Sequence, residues 1–189
     1  YLVLVLLPGL LISGLASLMV KSAFNRYSQV RSIRGMTGAQ AAQVLLDQAG
    51  IQDVRIVPAH GFLSDHYNPL TKELALSEQV YSSNSVAAIG VATHEAGHAI
   101  QHATHYFPLW ARSALVPMAS IGSNLGLIVM AVGLAISQMV VIVGAVLFGA
   151  VLLFQLVTLP VEFNASSRAK RLVVEAGIVY PEERVGIDA

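Results

Sequence analysis

Two adjacent stretches without a formal charge decide the fold: they read ALVPMASIGSNLGLIVMAVGLAI (114–136) and MVVIVGAVLFGAVLLFQLVTL (139–159), and two residues separate them. A bilayer core of about 30 Å needs about 20 apolar helical residues, so each stretch is long enough to cross a membrane. Two buried core helices are the alternative, but a soluble domain of this size would not cover both. We therefore predict a transmembrane hairpin, in which Gly122 and Gly126 allow close helix contact.

The composition of the whole chain agrees with a membrane protein. Of its 189 residues, 55% are hydrophobic and only 12% are charged. Eleven basic and eleven acidic residues cancel, so there is no net charge to attract nucleic acid, and we expect no such partner. The absence of cysteine excludes a disulfide framework and a thiol nucleophile, which leaves histidine and carboxylates as the strong metal ligands.

A third apolar stretch covers residues 1–20, and we predict a further transmembrane helix there. A cleaved signal peptide is the alternative, because Gly14-Leu15-Ala16 fits a small-residue cleavage site. Positive charge should precede the apolar core of a signal peptide, whereas Lys21 and Arg26 follow it. The charges favour a retained membrane anchor.

The basic residues predict the topology. All eleven lie between Lys21 and Arg112 or after Pro160, and the hairpin turn has none. By the positive-inside rule, residues 21–112 and 160–189 are both cytoplasmic. Because two crossings separate these regions, they share one face of the membrane and can build a common site.

The region 21–112 is predicted to form a small α+β domain. A capping box at Thr37 opens a helix that ends near Gly50. Alternating residues predict short strands at 54–57, 61–63 and 73–76, the last two joined by a turn at Asn68-Pro69. A helix is predicted at 86–105, capped by one of the polar residues Ser83, Asn84 or Ser85.

Beyond the hairpin, Pro160 is expected to end the third span. Residues 161–176 are predicted to form a separate helix closed by Gly177, and the remainder to Ala189 a loose tail.

The helix 86–105 carries the sequence HEAGH (94–98). Residues four apart share a helix face, so His94 and His98 can bind one Zn²⁺ while Glu95 acts as general base on a zinc-activated water. The alternative is two surface histidines on an ordinary helix. The small residues between the histidines and the well-capped helix favour the metal site, and zinc is the predicted cofactor.

A catalytic zinc needs a third protein ligand. The metzincin pattern would place a histidine ten positions after His94, but Thr104 stands there. His102 shares the face of the two histidines but lies a further turn away, which favours a supporting role over a ligand role. Glu162 is the carboxylate nearest the end of the third span; from spacing alone it is either the third ligand or a charge favoured near a helix N-terminus.

The chain resembles the neutral zinc metallopeptidases of bacterial membranes, the YugP-like proteins. The resemblance covers nearly the whole chain and is carried by RSIRGMTG (31–38), SDHYNP (64–69), NSVAA (84–88), HEAGHAIQH (94–102) and PVEFNAS (160–166). It implies a multi-pass protein of the bacterial inner (plasma) membrane that hydrolyses peptide bonds.

More distantly, EFNA (162–165) resembles a segment of the HtpX-like membrane proteases, in which the glutamate completes the zinc site. This resemblance implies that Glu162 is the third ligand. The HtpX-like proteases usually have aspartate after the alanine, whereas this chain has Ser166, so the role of that aspartate does not carry over.

Outside the helix, Asp65-His66-Tyr67 is the most functional-looking group. His66 is a candidate to stabilise the oxyanion formed when water attacks, and Tyr67 is an alternative donor. A polar cluster that merely forms a turn is the other interpretation.

Together these features predict a mainly α membrane protein with about three transmembrane helices and a small cytoplasmic α+β domain of gluzincin type. The predicted activity is that of a zinc-dependent endopeptidase, acting on peptide or protein substrates such as membrane or misfolded proteins. A zinc hydrolase of a non-peptide substrate is one alternative. A non-catalytic, zinc-stabilised membrane scaffold is the other, but a structural site needs no base such as Glu95.

Overall fold

The elements come from a computed structural model that describes residues 2–61 and 64–188, with the side chains of 7–61 and 64–187. The helices are α1 (Leu2–Tyr27), α2 (Gly38–Gln48), α3 (Glu78–Ser82), α4 (Val86–Ala103), α5 (Phe107–Ile136), α6 (Gln138–Glu175) and α7 (Arg184–Asp188), and the strands are β1 (Arg55–Ala59), β2 (His66–Asn68) and β3 (Glu73–Ser77). The chain divides into two compact units: residues 1–99 with 168–189, and residues 100–167. Helices α4 and α6 each contribute residues to both units.

Among the described residues, three helices are long and apolar enough to cross a membrane, as predicted: Leu7–Tyr27 of α1, and the whole of α5 and α6. Their ends differ from the predicted spans. Helix α1 continues beyond position 20 to Tyr27, and α5 begins at Phe107 rather than Ala114, so that Arg112 lies within it. Both differences have the same reason. The predicted spans stop at charged residues because these interrupt an apolar stretch, but lysine and arginine are good helix formers, so the helices include them.

The prediction that a new helix starts after Pro160 is wrong, because α6 runs through this proline to Glu175. A proline removes one backbone hydrogen bond and normally kinks or ends a helix. Polar side chains in the 100–167 unit contact the backbone here: the Tyr106 hydroxyl donates to the Pro160 carbonyl at 3.5 Å, and the Gln101 amide donates to the Val161 carbonyl at 2.8 Å. These bonds hold the backbone at and just after the proline to side chains outside α6.

The sheet has three strands in the order β1-β3-β2, with β1 parallel and β2 antiparallel to β3. Two predicted strands are therefore confirmed within one or two residues. Of the strand predicted at 61–63, Gly61 lies in a bend and residues 62–63 lie outside the described residues. The third strand of the sheet is instead β2, which includes His66 and Tyr67 of the Asp65-His66-Tyr67 group.

Strand β2 is only three residues long and depends on pairing, since Tyr67 lies opposite Leu74 and His66 opposite Ala75. The predicted turn after it is confirmed: the Asn68 side chain accepts a hydrogen bond from the backbone N–H of Leu70 at 2.9 Å.

The predicted capping box of α2 is present, with Thr37 and Gln40 each accepting a hydrogen bond from the other's backbone N–H. Beyond the helix, Gly50 adopts a φ of +70°, which suits glycine. The buried core around α2 and the sheet includes Leu45, Leu46, Leu74, Leu76 and Ile89. This core supports the start of α4.

Within the 100–167 unit, α5 and the first part of α6 form the predicted hairpin. Gly122 and Gly126 are both buried. A Cβ atom added to Gly126 would lie 2.8 Å from the backbone nitrogen of Phe148, closer than real Cβ contacts allow. The predicted close approach of the two helices at these glycines is confirmed.

The prediction of a loose C-terminal tail is wrong. Gly177 closes α6 with a φ of +62°, as predicted, but Ile178 and Val179 after it are buried. The Glu183 carboxylate accepts a hydrogen bond from the backbone N–H of Ile33 at 2.8 Å. Two apolar residues directly after the helix anchor the tail, because their burial excludes water.

Candidate metal centre

The start of helix α4 is fixed by backbone and side-chain contacts. The Ser85 hydroxyl accepts a hydrogen bond from the backbone N–H of Ala88 at 3.2 Å, which identifies Ser85 as the capping residue among the three candidates. The backbone N–H of Val86 donates to the Val30 carbonyl at 2.8 Å. Helix α4 ends at Ala103 rather than 105, and His105 beyond it has a positive φ of 52°.

His94 and His98 lie one turn apart on α4, as their spacing requires. Their ring centroids are 4.9 Å apart and the ring planes are nearly perpendicular, at 86°. His94 is half-buried, and His98 is buried with 7% of its surface exposed. Both rings therefore stay on one helix face, largely shielded from water.

Glu95 opens onto a cavity of about 320 Å³ lined by His94, Glu95, Asp65, Gly90 and Val91. Gly90 has no side chain, so it takes up little of the cavity's volume. The cavity is open to solvent. A general base needs such access, because it must meet both the water and the substrate.

Asp65, which belongs to the functional-looking group Asp65-His66-Tyr67, lines this cavity. Its carboxylate accepts hydrogen bonds from the backbone N–H of Ser77 at 2.7 Å and from the Ser77 hydroxyl at 3.1 Å. Ser77 is the last residue of β3 and is buried. These bonds hold Asp65 to the sheet, and no pattern of residue spacing indicated this placement.

Glu162 lies on α6, and residues on both sides of it are held by Gln101. The Gln101 side chain has no exposed surface, and its amide donates to the Val161 carbonyl at 2.8 Å and to the Asn164 side-chain oxygen at 3.0 Å. Gln101 comes less than one helical turn after His98 on the same helix. The segment around Glu162 is thus held by Gln101, within the 100–167 unit.

Gln101 was not predicted from the sequence as a functional residue. The signal that could have found it is its position shortly after His98, among apolar neighbours, because a buried amide must be hydrogen-bonded to a partner.

Arg112 on α5 forms an ion pair with Glu162, with 3.7 Å between a guanidinium nitrogen and a carboxylate oxygen. About a third of each side chain is exposed. The guanidinium therefore lies beside the carboxylate of the third candidate ligand. Arg112 was seen in the sequence only as a topology marker, since a pairing between residues so far apart in the chain has no local signal.

His94, His98 and Glu162 form a group suited to a metal: each offers one ligand atom, and these three atoms lie within 4.8 Å of one another. Two imidazoles and one carboxylate are the protein ligands of a known class of catalytic zinc sites, in which the bonds are about 2.0–2.2 Å long. The donor set fits zinc and leaves one coordination position for water or substrate.

Among the described residues, His66 and His102 are not members of this group. His66 is exposed, and its Nδ1 is hydrogen-bonded to the Ser64 carbonyl at 2.8 Å. His102 lies beside Trp110, with 6.0 Å between the ring centroids. The oxyanion role of His66 stays a prediction.

Tyr67, the other donor considered for the oxyanion, is half-buried in β2. Burial raises the pKa of Tyr67 to about 12, with a further contribution from the nearby Asp53 carboxylate. The phenol therefore stays protonated at neutral pH and keeps its O–H as a hydrogen-bond donor.

A helix with the HExxH sequence, a neighbouring glutamate and long apolar helices are features of membrane-associated zinc metallopeptidases. The comparison with known proteins agrees: the chain belongs to the neutral zinc metallopeptidase family, whose model, described as "Putative neutral zinc metallopeptidase", matches residues 2–189. It is also similar to the "Putative membrane protease YugP" of Bacillus subtilis (strain 168), with 42% identity over 174 residues, 92% of this chain and 77% of that protein. No solved structure gives a significant match.

Proposed function

We propose that the protein is a membrane-integrated, zinc-dependent endopeptidase of gluzincin type, with His94, His98 and Glu162 as metal ligands and Glu95 as general base. The observation that carries the proposal is the metal-ligand group itself, in which one atom from each of the three residues lies within 4.8 Å of the others. Membership of the zinc metallopeptidase family supports it.

The roles of the residues follow from their chemistry. When bound, zinc supplies a Lewis acid that polarises the scissile carbonyl and lowers the pKa of water. Glu95 takes a proton from the attacking water and later passes it to the leaving amine. The open cavity beside Glu95 and His94 admits the peptide. Arg112 forms an ion pair with the Glu162 carboxylate.

Replacing Glu95 by glutamine tests this mechanism. We expect Glu95→Gln to lower peptide hydrolysis in detergent by about 10²–10⁴-fold, because it removes the base. Zinc content should remain that of the wild type, since both imidazoles and Glu162 are intact. Glu175→Gln, an exposed change at the end of α6, is the matched control and should keep full activity. A Glu95→Gln variant that hydrolyses peptide at the wild-type rate, or a wild type that binds zinc but cleaves no peptide, would contradict the proposal.

We further propose that the protein is a multi-pass protein of the bacterial inner membrane, that residues 21–112 and 160–189 face the cytoplasm, and that its substrates include membrane or misfolded proteins. The three long apolar helices support the first part, and the distribution of basic residues supports the second.

Cysteine labelling tests this topology cleanly, because the chain has no cysteine of its own. Cysteines at Ser28 and Glu182 should react from the cytoplasmic side, and one at Ser137 in the hairpin turn from the opposite side. Labelling of the Ser28 and Ser137 positions from the same side would refute the orientation.

A further inference from the structure

The apolar surface of the 100–167 unit continues to the residue next to Glu162. On α6 the side chains of Leu152, Leu156, Leu159 and Phe163 are all more than half exposed, and Phe163 reaches 69%. The N-terminal part of α5 shows the same feature, with Phe107 at 78% and Trp110 at 53% exposed. The lipid-facing surface of the hairpin therefore extends to the level of the candidate metal ligand.

This end of the unit differs from the rest of the hairpin surface in its aromatic and charged residues. Phe107, Trp110 and Phe163, here called the aromatic belt, lie near Arg112 and Glu162 in the sequence. Tryptophan concentrates at membrane interfaces because its ring is apolar while its N–H is polar. A charged pair is costly in the hydrocarbon core but not among headgroups. Both features indicate an interface at this level.

The lengths of the two hairpin helices also place Arg112 and Glu162 at a membrane interface. Arg112 and Glu162 stand equally far along the chain from Ser137 in the hairpin turn, one before it and the other after it. At about 1.5 Å per residue, each lies about 38 Å from the turn along its helix. The hydrocarbon core is about 30 Å thick and the bilayer with headgroups about 40–45 Å. A hairpin with its turn at the outer edge of one headgroup layer therefore places both charges in the opposite headgroup layer, which begins about 35–38 Å away.

We propose that the aromatic belt is embedded in the headgroup layer and holds Glu162 at that depth. The inference rests on the proposed function and specifies its substrates: the scissile bond belongs to a segment at the membrane surface, next to a membrane-embedded stretch. Peptides free in solution are the poorer substrates, because they lack the anchorage that brings the bond to this depth.

Tryptophan fluorescence measures the depth without any activity, because Trp110 is the only tryptophan of the chain. The full chain is loaded with zinc and reconstituted into phosphatidylcholine vesicles that carry a nitroxide at the headgroup, at a shallow acyl position or at a deep acyl position. We expect the headgroup and shallow labels to quench Trp110 several-fold more strongly than the deep label. Strongest quenching by the deep label, or no quenching by any label, would overturn the proposal.

Two variants extend the measurement to Glu162. Phe163→Trp, made in a Trp110→Phe background, places the reporter beside Glu162 and should give the same shallow profile. Phe148→Trp in that background is the matched control: Phe148 lies about 16 Å from Ser137 along the helix and should be quenched best by the deep label. Identical profiles for the two variants would contradict the assignment of depth.

The substrate statement has its own test in the same vesicles. One cleavable sequence is attached to a transmembrane peptide either directly or through a long, flexible linker rich in glycine and serine. We expect at least tenfold faster cleavage of the directly attached sequence. Equal rates would overturn the substrate statement, whereas cleavage of neither would refute the proposed peptidase activity and leave the fluorescence result standing.

Discussion

Helix α4 and the hairpin part of α6 are both rich in apolar residues, but they have opposite surroundings. On α4 the apolar side chains of Val86, Ile89 and Ala92 are buried by protein. On α6 those of Leu152 and Leu156 are more than half exposed. Hydrophobicity alone therefore does not distinguish a candidate membrane helix from a buried one, whereas the length of the uncharged stretch and the absence of protein cover do.

The polar residues of the two helices differ in the same way. Helix α4 buries Thr93, His98 and Gln101, and a buried polar group is costly unless it has a partner. Thr93 and Gln101 donate hydrogen bonds to carbonyl oxygens, and His98 belongs to the metal-ligand group. Two of these buried polar residues therefore form the site or hold the segment that carries it: His98 as a candidate ligand and Gln101 through the backbone next to Glu162.

The largest effect on stability should come from truncating a buried side chain of the sheet. Leu76 in β3 has no exposed surface, so Leu76→Ala should destabilise the protein by about 2–5 kcal/mol through lost burial and a cavity. Leu153 on α6 is half exposed, and Leu153→Ala is the matched control, with an expected change within about 0.5 kcal/mol. Unfolding in detergent measures both.

Equal destabilisation by these two substitutions would break the comparison. It would show that Leu153 is covered by protein and that α6 does not face lipid on that side.

A smaller effect is expected where the hairpin helices touch. Gly126→Ala places a Cβ 2.8 Å from the Phe148 backbone nitrogen, and we expect a loss of about 1–3 kcal/mol from overpacking. At Gly149, on the exposed surface of α6, nothing lies within 4 Å of an added Cβ. Gly149→Ala should therefore leave the unfolding midpoint in detergent unchanged or raise it, because alanine favours the helix. A Gly126→Ala variant as stable as Gly149→Ala would contradict the close packing.

Features with a local signal were predicted from the sequence. The uncharged stretches indicated the hairpin, Thr37 and Gln40 indicated the capped start of α2, and the four-residue spacing of His94 and His98 indicated a shared helix face. In each case the interacting groups lie within one or two helical turns, or the property depends on composition alone.

Features that depend on distant contacts were not predicted. Pro160 was expected to end a helix because its local effect is to break one, yet Gln101 and Tyr106, which are remote from it in the chain, contact the backbone around it. The short strand β2 exists through its pairing with β3. The tail was expected to be loose because its contact with Ile33 spans 150 residues. Glu162 was proposed as a ligand through a resemblance, since its spacing from the histidines left two interpretations open.

Zinc titration of purified alanine variants tests the central claim that Glu162 completes the metal centre with His94 and His98. Asp65→Ala, His66→Ala and His102→Ala are the matched controls and should keep most of the wild-type zinc affinity. Glu162→Ala should weaken zinc binding by more than the roughly 10–100-fold cost of losing a residue that only orients a ligand. A Glu162→Ala variant that binds zinc as tightly as the wild type would contradict the ligand assignment, even if the two histidines hold the metal.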